Sequence, residues 1–357
     1  MNYLFATCIS LFLVSFSVAD HPGHDNIKFC SNNITECTLA GINVTCVKAR
    51  NEKDGCAKDV ADGKADLMLA SANEMVIYAK ELKIVYGQKL KTLDKFVQYY
   101  GLAIVKKGTN FTLNTLKGKN TCHTTVGKTV GWNIPVGYLL FTKKMTFTKN
   151  EYRSASDYFG DSCAPGINDK DVTDAVKKDL CKLCNGTCAV NSTEPYYDYQ
   201  GAFKCMADGI KDRVGFVKQT TADEVFAAAG GNYGDASDYQ LLCTDGTKAD
   251  LSAYRTCNID KRPAYALVTN KDTPDEKVTK MKDILDKAVL ANLKKGSIVS
   301  SNCQNLEAYT DTVKKYVGAY GDHYNALRSH EDISAASSNL VSFALQIIAI
   351  FAFVILV

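Results

Sequence analysis

The cysteines constrain this chain more than any other feature of its sequence. There are 14 among 357 residues, a number typical of proteins that fold in an oxidising compartment and form disulfides. Cys8 lies in an apolar stretch near the first residue, and its removal with a signal peptide would leave an odd number, with one thiol unpaired. Cys181, Cys184 and Cys188 are spaced closely enough for zinc, but their segment lacks histidine, so disulfides are the favoured interpretation.

Both ends of the sequence are apolar. Residues 4–18 are mostly apolar, and the small residues Ser17 and Ala19 precede Asp20, which predicts a signal peptide over residues 1–19; an uncleaved anchor is the alternative. Residues 340–357 carry no charge and follow a stretch of small polar residues. This pattern predicts a glycosylphosphatidylinositol (GPI) attachment signal within 331–357, and a tail-anchoring helix is the alternative. Under either interpretation the folded part lies outside the cell, at the plasma membrane or secreted.

The sequons agree with an extracellular location. Five Asn-x-Ser/Thr triplets predict glycosylation at Asn33, Asn43, Asn110, Asn185 and Asn191. The formal net charge is only +3, which argues against a nucleic-acid partner. No Ser-His-Asp arrangement, paired-carboxylate motif or phosphate loop stands out in the sequence, so it does not predict an enzyme.

Short apolar segments alternate with amphipathic ones, which is the pattern of an α/β fold. Buried strands are predicted at residues 83–86, 102–105, 213–217 and 264–268. Helices are predicted at 223–229 and 275–293; in the second, apolar residues recur at spacings of three and four, which places them on one face.

Several motifs in a fixed order resemble the transferrin family, from about residue 28 to at least 268. They amount to one lobe, whereas typical vertebrate members have two. The segments similar to the family's anion-binding region are Cys-His-Thr at 122–124 and Gly-Trp-Asn-Ile-Pro-Val-Gly at 131–137. Those similar to its second tyrosine region are Tyr-Gln-Gly-Ala-Phe-Lys-Cys at 199–205 and Gly-Phe-Val-Lys at 215–218. Segments 28–30, 98–101 and 239–243 also match.

The resemblance implies a transferrin lobe, an α/β fold of the periplasmic-binding-protein type in which two disulfide-rich subdomains flank a cleft. Residues 27–97 with 257–330 would form the first subdomain and 98–256 the second, with hinge strands near Tyr99 and Tyr265 crossing behind the cleft. Cys303 would be the odd thiol, either free for an intermolecular bond or buried. The implied disulfides are Cys30–Cys56, Cys37–Cys46, Cys122–Cys205, Cys163–Cys184, Cys181–Cys188 and Cys243–Cys257.

The family binds Fe(III) through one aspartate, two tyrosines, one histidine and a bidentate carbonate. The resemblance places Tyr99 and Tyr199 at the tyrosine positions, Ser71 at the aspartate position and Tyr265 at the histidine position. Ionised Tyr265 would offset the lost aspartate, because a bound trivalent cation stabilises phenolate and the total ligand charge is then unchanged. The sixth coordination position would fall to water or to the Ser71 hydroxyl. The alternative is that these tyrosines are ordinary half-buried aromatic residues.

The resemblance also implies an anion site. Thr124 stands at the anion-binding threonine and Lys128 at the anion-binding arginine, while the backbone amides of Val130 and Gly131 would face the carbonate at a helix N-terminus. Lysine keeps the positive charge of arginine but lacks the planar fork that grips an anion at two points. The alternative is that Thr124 and Lys128 are relics in a cleft that binds nothing.

Three functional hypotheses follow. The first is a cell-surface transferrin-like protein that binds Fe(III) with carbonate for iron capture, storage or delivery. With a GPI anchor, iron uptake would require a partner receptor, a reductase or bulk endocytosis. The second is a surface glycoprotein that binds no iron and uses the lobe as an adhesion or scaffold module. The third is an anion or siderophore binder in the same cleft.

Overall fold

The computed structural model describes residues 26–50, 55–91, 94–228 and 232–328. The predicted signal peptide and the predicted attachment signal lie outside these residues. Within them, the helices are too short or too polar for any to cross a bilayer.

The described residues form short strands and helices in alternation. The strands are β1 (Lys28–Cys30), β2 (Thr45–Val47), β3 (Leu67–Ala70), β4 (Leu82–Leu90), β5 (Val97–Lys106), β6 (Asn120–His123), β7 (Ser162–Cys163), β8 (Arg213–Lys218), β9 (Tyr239–Leu242), β10 (Lys248–Ala249), β11 (Asp260–Pro263), β12 (Ala266–Asn270) and β13 (Cys303–Ala308). The α-helices are α1 (Ile34–Thr38), α2 (Gly55–Ala61), α3 (Ala72–Ile77), α4 (Ile134–Phe141), α5 (Glu151–Tyr158), α6 (Asp174–Cys181), α7 (Asp198–Ala207), α8 (Thr221–Ala228), α9 (Asp275–Asp286), α10 (Leu290–Lys295) and α11 (Val313–Val317). Residues 319–328 are also helical.

Two mixed sheets organise these elements. The first sheet has the strand order β13-β4-β12-β3-β1-β2, and the second has the order β10-β9-β5-β8-β6-β7 with β11 paired to β5. In each sheet parallel neighbours, such as β1 with β3 and β6 with β8, lie beside antiparallel ones. This is the predicted α/β fold with two subdomains flanking a cleft, and the prediction of fold class is confirmed.

The chain crosses between the sheets twice. It leaves the first sheet after β4 and enters the second at β5, and it returns from β11 to β12. Pairing of β11 with β5 places Arg262 opposite Tyr99, so the two crossings run antiparallel beside each other. The subdomain boundaries given above remain a prediction.

Three predicted strands lie within β4, β5 and β8, but two other predictions need correction. The strand expected at 264–268 begins only at Ala266, so Tyr265 lies in the link between β11 and β12. The single helix expected at 275–293 is wrong, because the chain forms α9 and α10 with a turn at Lys287. A straight helix would carry Leu293 roughly 18 Å beyond Met281, whereas the turn returns both to one apolar core.

The twelve cysteines named above are joined in the same six pairs in the structure. Cys303 is a free thiol and is fully buried. Its sulfur donates to the carbonyl oxygen of Asn305, and burial raises the pKa of the thiol. A thiol enclosed in this way is inert toward another chain.

One apolar core spans both sheets and includes the last helical segment. Met68 and Val268 of the first sheet belong to the same buried cluster as Ala103 and Phe216 of the second. Segment 319–328 packs on α4, and a Cβ at Gly137 would collide with the carbonyl oxygen of His323. The absence of a side chain at Gly137 therefore permits this helix contact.

Replacing Gly137 with alanine should destabilise the protein. The new methyl group has only backbone to displace, and overpacking of this kind typically costs about 1–3 kcal/mol. Thermal and denaturant unfolding measure the change. Gly321→Ala is the matched control in the same helical segment, because its Cβ would press on a side-chain methyl group of Val317 at 2.9 Å and not on backbone. An equal loss in both variants would contradict the assigned contact.

Candidate functional site

A cleft of about 630 Å³ lies where the two sheets meet. Its lining comes from β5, the N-terminal ends of the helices at Lys128 and Tyr199, the β11–β12 link and the loop before β13. The three tyrosines that the sequence places at ligand positions, Tyr99, Tyr199 and Tyr265, all line it.

Tyr99 and Tyr199 approach each other from a strand and a helix. Tyr99 stands on β5, and Tyr199 lies in the first turn of α7. Their ring centroids are 6.4 Å apart. The start of α7 is fixed because the Asp198 amide donates to the carbonyl oxygen of Thr124 at 3.0 Å, and the Cys122–Cys205 disulfide ties the same helix to β6. These bonds hold the second phenol beside the first.

Tyr265 is positioned by its own backbone. Its carbonyl oxygen accepts hydrogen bonds from the backbone amide of Gln88 at 3.1 Å and from the Tyr316 hydroxyl at 3.3 Å. Both bonds come from elements packed behind the link. They fix the peptide from which the phenol enters the cleft.

Two cations lie against the faces of these rings. The Lys218 Nζ is 5.0 Å from the Tyr199 centroid and forms an ion pair with Glu224 at 2.9 Å. The Arg262 Cζ is 5.8 Å from the Tyr99 centroid and 5.0 Å from the Tyr265 centroid. Burial and the neighbouring Tyr99 raise the pKa of the Tyr199 phenol, and Arg262 opposes that rise. The metal-free phenol therefore keeps its proton at neutral pH.

The segment after β6 has the features of an anion site. The Thr124 hydroxyl is buried and has no hydrogen-bond partner among the described residues. A Cβ at Gly131 would collide with that hydroxyl oxygen, so only glycine permits the Thr124 side chain to approach this closely. Lys128 begins the π-helical turn Thr129–Asn133, whose first amides have no acceptor within the turn, and its side chain lines the cleft.

His123 orients this turn from behind. Its Nδ1 lies 2.8 Å from the carbonyl oxygen of Gly131, which can only accept, so Nδ1 carries the hydrogen. Its Nε2 then accepts from the Thr121 hydroxyl at 2.9 Å. Complete burial lowers the pKa of His123 to about 4, and the ring is therefore neutral and serves a structural purpose.

Ser71 is placed differently from the tyrosines. It is the N-cap of α3: its hydroxyl accepts from the Glu74 amide, and its own amide donates to the Glu74 carboxylate at 2.7 Å. Ser71 is not among the residues that line the cleft. Its role as a sixth ligand remains a prediction, and its hydroxyl is committed to the helix cap.

Sequence reasoning missed part of the lining. Arg262 precedes Tyr265 by three residues in a Lys-Arg-Pro run, and only strand pairing reveals that it faces Tyr99 rather than solvent. Gln98, Lys294 and Ser300 also line the cleft. Nothing in the sequence near Ser300 signalled a site, because that loop reaches the cleft only through the pairing of β13 with β4.

The cysteine cluster does not offer a zinc site. Among the described residues, the group of cysteine, histidine and acidic side chains close enough to share an ion is Cys163, Cys184 and Glu194. Cys163 and Cys184 are bonded to each other. Glu194 accepts from the amides of Asn185 and Cys188, so the cluster is a disulfide-stabilised loop.

A phenol-lined cleft between two mixed sheets, with strands crossing behind it, defines a two-subdomain binding protein. The transferrin family model matches residues 18–298, and the chain therefore belongs to the transferrin family. It is 35% identical over 259 residues to human (Homo sapiens) melanotransferrin, and the aligned region covers 68% of this chain and 34% of the human protein. It is 40% identical over 223 residues to serotransferrin of Gadus morhua, covering 61% and 32% respectively. The chain spans about a third of the length of the curated relatives it matches.

Ser71→Ala should lower the free energy of unfolding of the metal-free protein by about 1 kcal/mol, because the helix loses its N-cap. Ser71→Asp should retain nearly all the stability, since aspartate is an equally good N-cap. Denaturant unfolding of the two variants beside the wild type measures the difference. If Ser71→Ala unfolds at the wild-type midpoint, the hydroxyl is not acting as the cap.

Proposed function

We propose that this protein binds Fe(III) together with carbonate in the cleft, as a cell-surface member of the transferrin family that captures, stores or delivers iron. The observation that carries the proposal is the convergence of Tyr99, Tyr199 and Tyr265 on one cleft that also holds Lys128 and Arg262. The family consists of iron-binding transport proteins rather than enzymes, and the proposed function is likewise not catalytic.

The donor set suits this cargo. Fe(III) is a small, hard cation that prefers anionic oxygen ligands, and three phenolates with a bidentate carbonate fill five coordination positions. The sixth falls to water, or to Ser71 if the cap opens. Because each phenol must lose its proton to bind, protons compete with iron, and acid should release it.

The proposed carbonate site offers several hydrogen-bond donors. The buried Thr124 hydroxyl lacks a partner and packs directly against Gly131, and the amides at the start of the helical turn are free within that turn. Lys128 supplies positive charge at the same end. An oxyanion accepts from all of these donors at once, which is the usual way a helix N-terminus holds an anion.

Iron titration of the purified protein in bicarbonate tests this function. Wild type should develop a visible phenolate-to-iron charge-transfer band, and iron should raise its melting temperature. Tyr99→Phe and Tyr199→Phe should each lose most of the colour, because each removes one phenolate ligand. Absorbance spectroscopy and thermal unfolding are the measurements.

Tyr254→Phe is the matched control for this titration, since Tyr254 packs on Tyr100 and does not line the cleft. It should behave as wild type. A wild-type protein with neither colour nor stabilisation by iron would reject the ferric function. It would instead favour the adhesion or scaffold alternative.

We also propose that the protein is held at the outer face of the plasma membrane by a GPI anchor. The uncharged stretch 340–357 after a run of small residues supports this. The sequon residues Asn33, Asn43, Asn110, Asn185 and Asn191 are all exposed, as glycosylation requires. Delivery of iron from such an anchor would require a surface receptor or a reductase.

Phosphatidylinositol-specific phospholipase C should release the protein from intact cells that express the full chain. The expected result is transfer from the cell pellet to the medium, because the enzyme cleaves the lipid and not the polypeptide. Immunoblotting of the two fractions measures the transfer. Mass spectrometry should show that the released protein lacks residues 340–357. A released or retained protein that still contains Val357 would contradict the anchor.

A further inference from the structure

Two cations lie equally near the phenols of the cleft, and Lys218 is paired with Glu224, whereas Arg262 is not paired with a carboxylate among the described residues. The position of Arg262 on β11 is directly opposite Tyr99 on β5, and opposite residues of an antiparallel pair project to the same face. The neighbouring residue shows the alternation: Lys261 is opposite Tyr100, and its Nζ lies 5.5 Å from the Tyr100 centroid on the other face. Arg262 therefore faces the cleft, and Lys261 faces away.

The guanidinium lies between two proposed ligands. Its Cζ is nearer to the ring of Tyr265, at 5.0 Å, than to the ring of Tyr99, at 5.8 Å. At these distances it attracts the faces of neutral rings only modestly, whereas it attracts a phenolate as a full charge.

The acidic side chains of this region already have other partners. Asp260 binds His323 at 2.6 Å, Asp94 pairs with Lys261 at 3.7 Å, and Glu224 pairs with Lys218. In the part of the chain that the structure describes, Arg262 forms no ion pair with a carboxylate. The positive charge of Arg262 is therefore available to be balanced by a negatively charged group in the loaded cleft.

The tyrosine at position 265, where the family has a histidine, gives a reason for the positive charge of Arg262 at this place. The family's histidine is a neutral ligand, whereas ionised Tyr265 brings an extra negative charge to this position. A phenolate in a half-buried cleft is costly unless a cation lies nearby. Arg262 is the cation that the strand pairing places there, and it stays charged at every physiological pH.

We propose that Arg262 forms an ion pair with the Tyr265 phenolate in the iron-loaded cleft, so that the two residues act as a matched pair in place of a neutral histidine. The inference rests on the proposed ferric function and deepens it. Arg262 is on this view a positioning residue: it touches a ligand of the metal, and it acts on iron only through Tyr265.

A double-mutant cycle tests the pair. Arg262→Gln should weaken apparent iron affinity about tenfold in the wild-type background at saturating bicarbonate, as measured by competition with a chelator such as nitrilotriacetate. Arg262→Lys should recover most of the loss, because it restores the charge. Where Tyr265→His or Tyr265→Phe has made position 265 neutral, Arg262→Gln should reduce the affinity clearly less, because only the more distant ring of Tyr99, at 5.8 Å, then remains beside the guanidinium.

The charge-transfer band gives a readout that a purely structural role would not move. A cation beside a phenolate stabilises its donor electrons, so Arg262→Gln should shift the band to longer wavelength, and the shift should be smaller when Tyr265 is phenylalanine because only Tyr99 then lies beside the guanidinium. Lys261→Gln is the matched control, one residue away on the opposite face, and should change neither affinity nor spectrum. Thermal unfolding of each metal-free variant verifies that it folds.

The outcomes separate this inference from the ferric function. An equal loss of affinity with and without Tyr265, or a loss that disappears when bicarbonate is raised to saturation, would overturn the pair while iron binding stands. The first outcome would assign the effect of Arg262 to Tyr99 or to packing rather than to Tyr265, and the second would make it an anion ligand. A wild-type protein that binds no iron would overturn both proposals.

Discussion

The antiparallel pairing of β5 with β11 is the constraint on which the cleft depends. It sets Arg262 opposite Tyr99 and brings the chain back toward the first sheet at Tyr265. Two backbone hydrogen bonds flank the pairing, from Ile259 to Gly101 at 2.8 Å and from Ala264 to Phe96 at 2.8 Å. A slip of β11 by one residue would turn Arg262 to the other face, away from Tyr99, so the register of this one pair decides what the cleft contains.

The surrounding packing secures that register. The buried hydrogen bond between Asp260 and His323 ties the start of β11 to segment 319–328, and the same segment packs on α4 next to Gly137. The helical turn that precedes α4 carries Lys128 and the proposed anion site. Strand β11 and the Lys128 end of the cleft are therefore joined through one shared helical segment.

The resemblance to the family places Tyr265 at the position of a neutral histidine, Ser71 at that of an aspartate and Lys128 at that of an arginine, and these assignments remain predictions. These changes make sense together if the negative charge has moved from the aspartate position to Tyr265 and if a guanidinium is now provided by Arg262. Because a metal responds to the sum of charges around it, a site can keep its function while its individual ligands change.

Much of this protein follows from the sequence alone. The alternation of short apolar and amphipathic segments predicts an α/β fold, and the resemblance of the spaced motifs predicts a transferrin lobe; the family match and the two mixed sheets confirm both. Tyr99, Tyr199 and Tyr265 were named as ligand positions from those motifs, and all three line one cleft, although their role as ligands remains a prediction. The helix expected at 275–293 was wrong, because periodicity records which side chains are apolar and not where a turn returns the chain to the same core.

The sequence by itself determined the residue types available for chemistry, since phenols, thiols and cations keep their character in any fold. Only the tertiary structure decided which of them meet. In the sequence Arg262 is one basic residue among many, and only strand pairing sets it beside two phenols. Ser71 stands at a predicted ligand position, and only the structure shows that its hydroxyl caps a helix. The reason is physical: proximity between residues far apart in the chain is fixed by strand register and helix packing, and neither is encoded in the local pattern around a single residue.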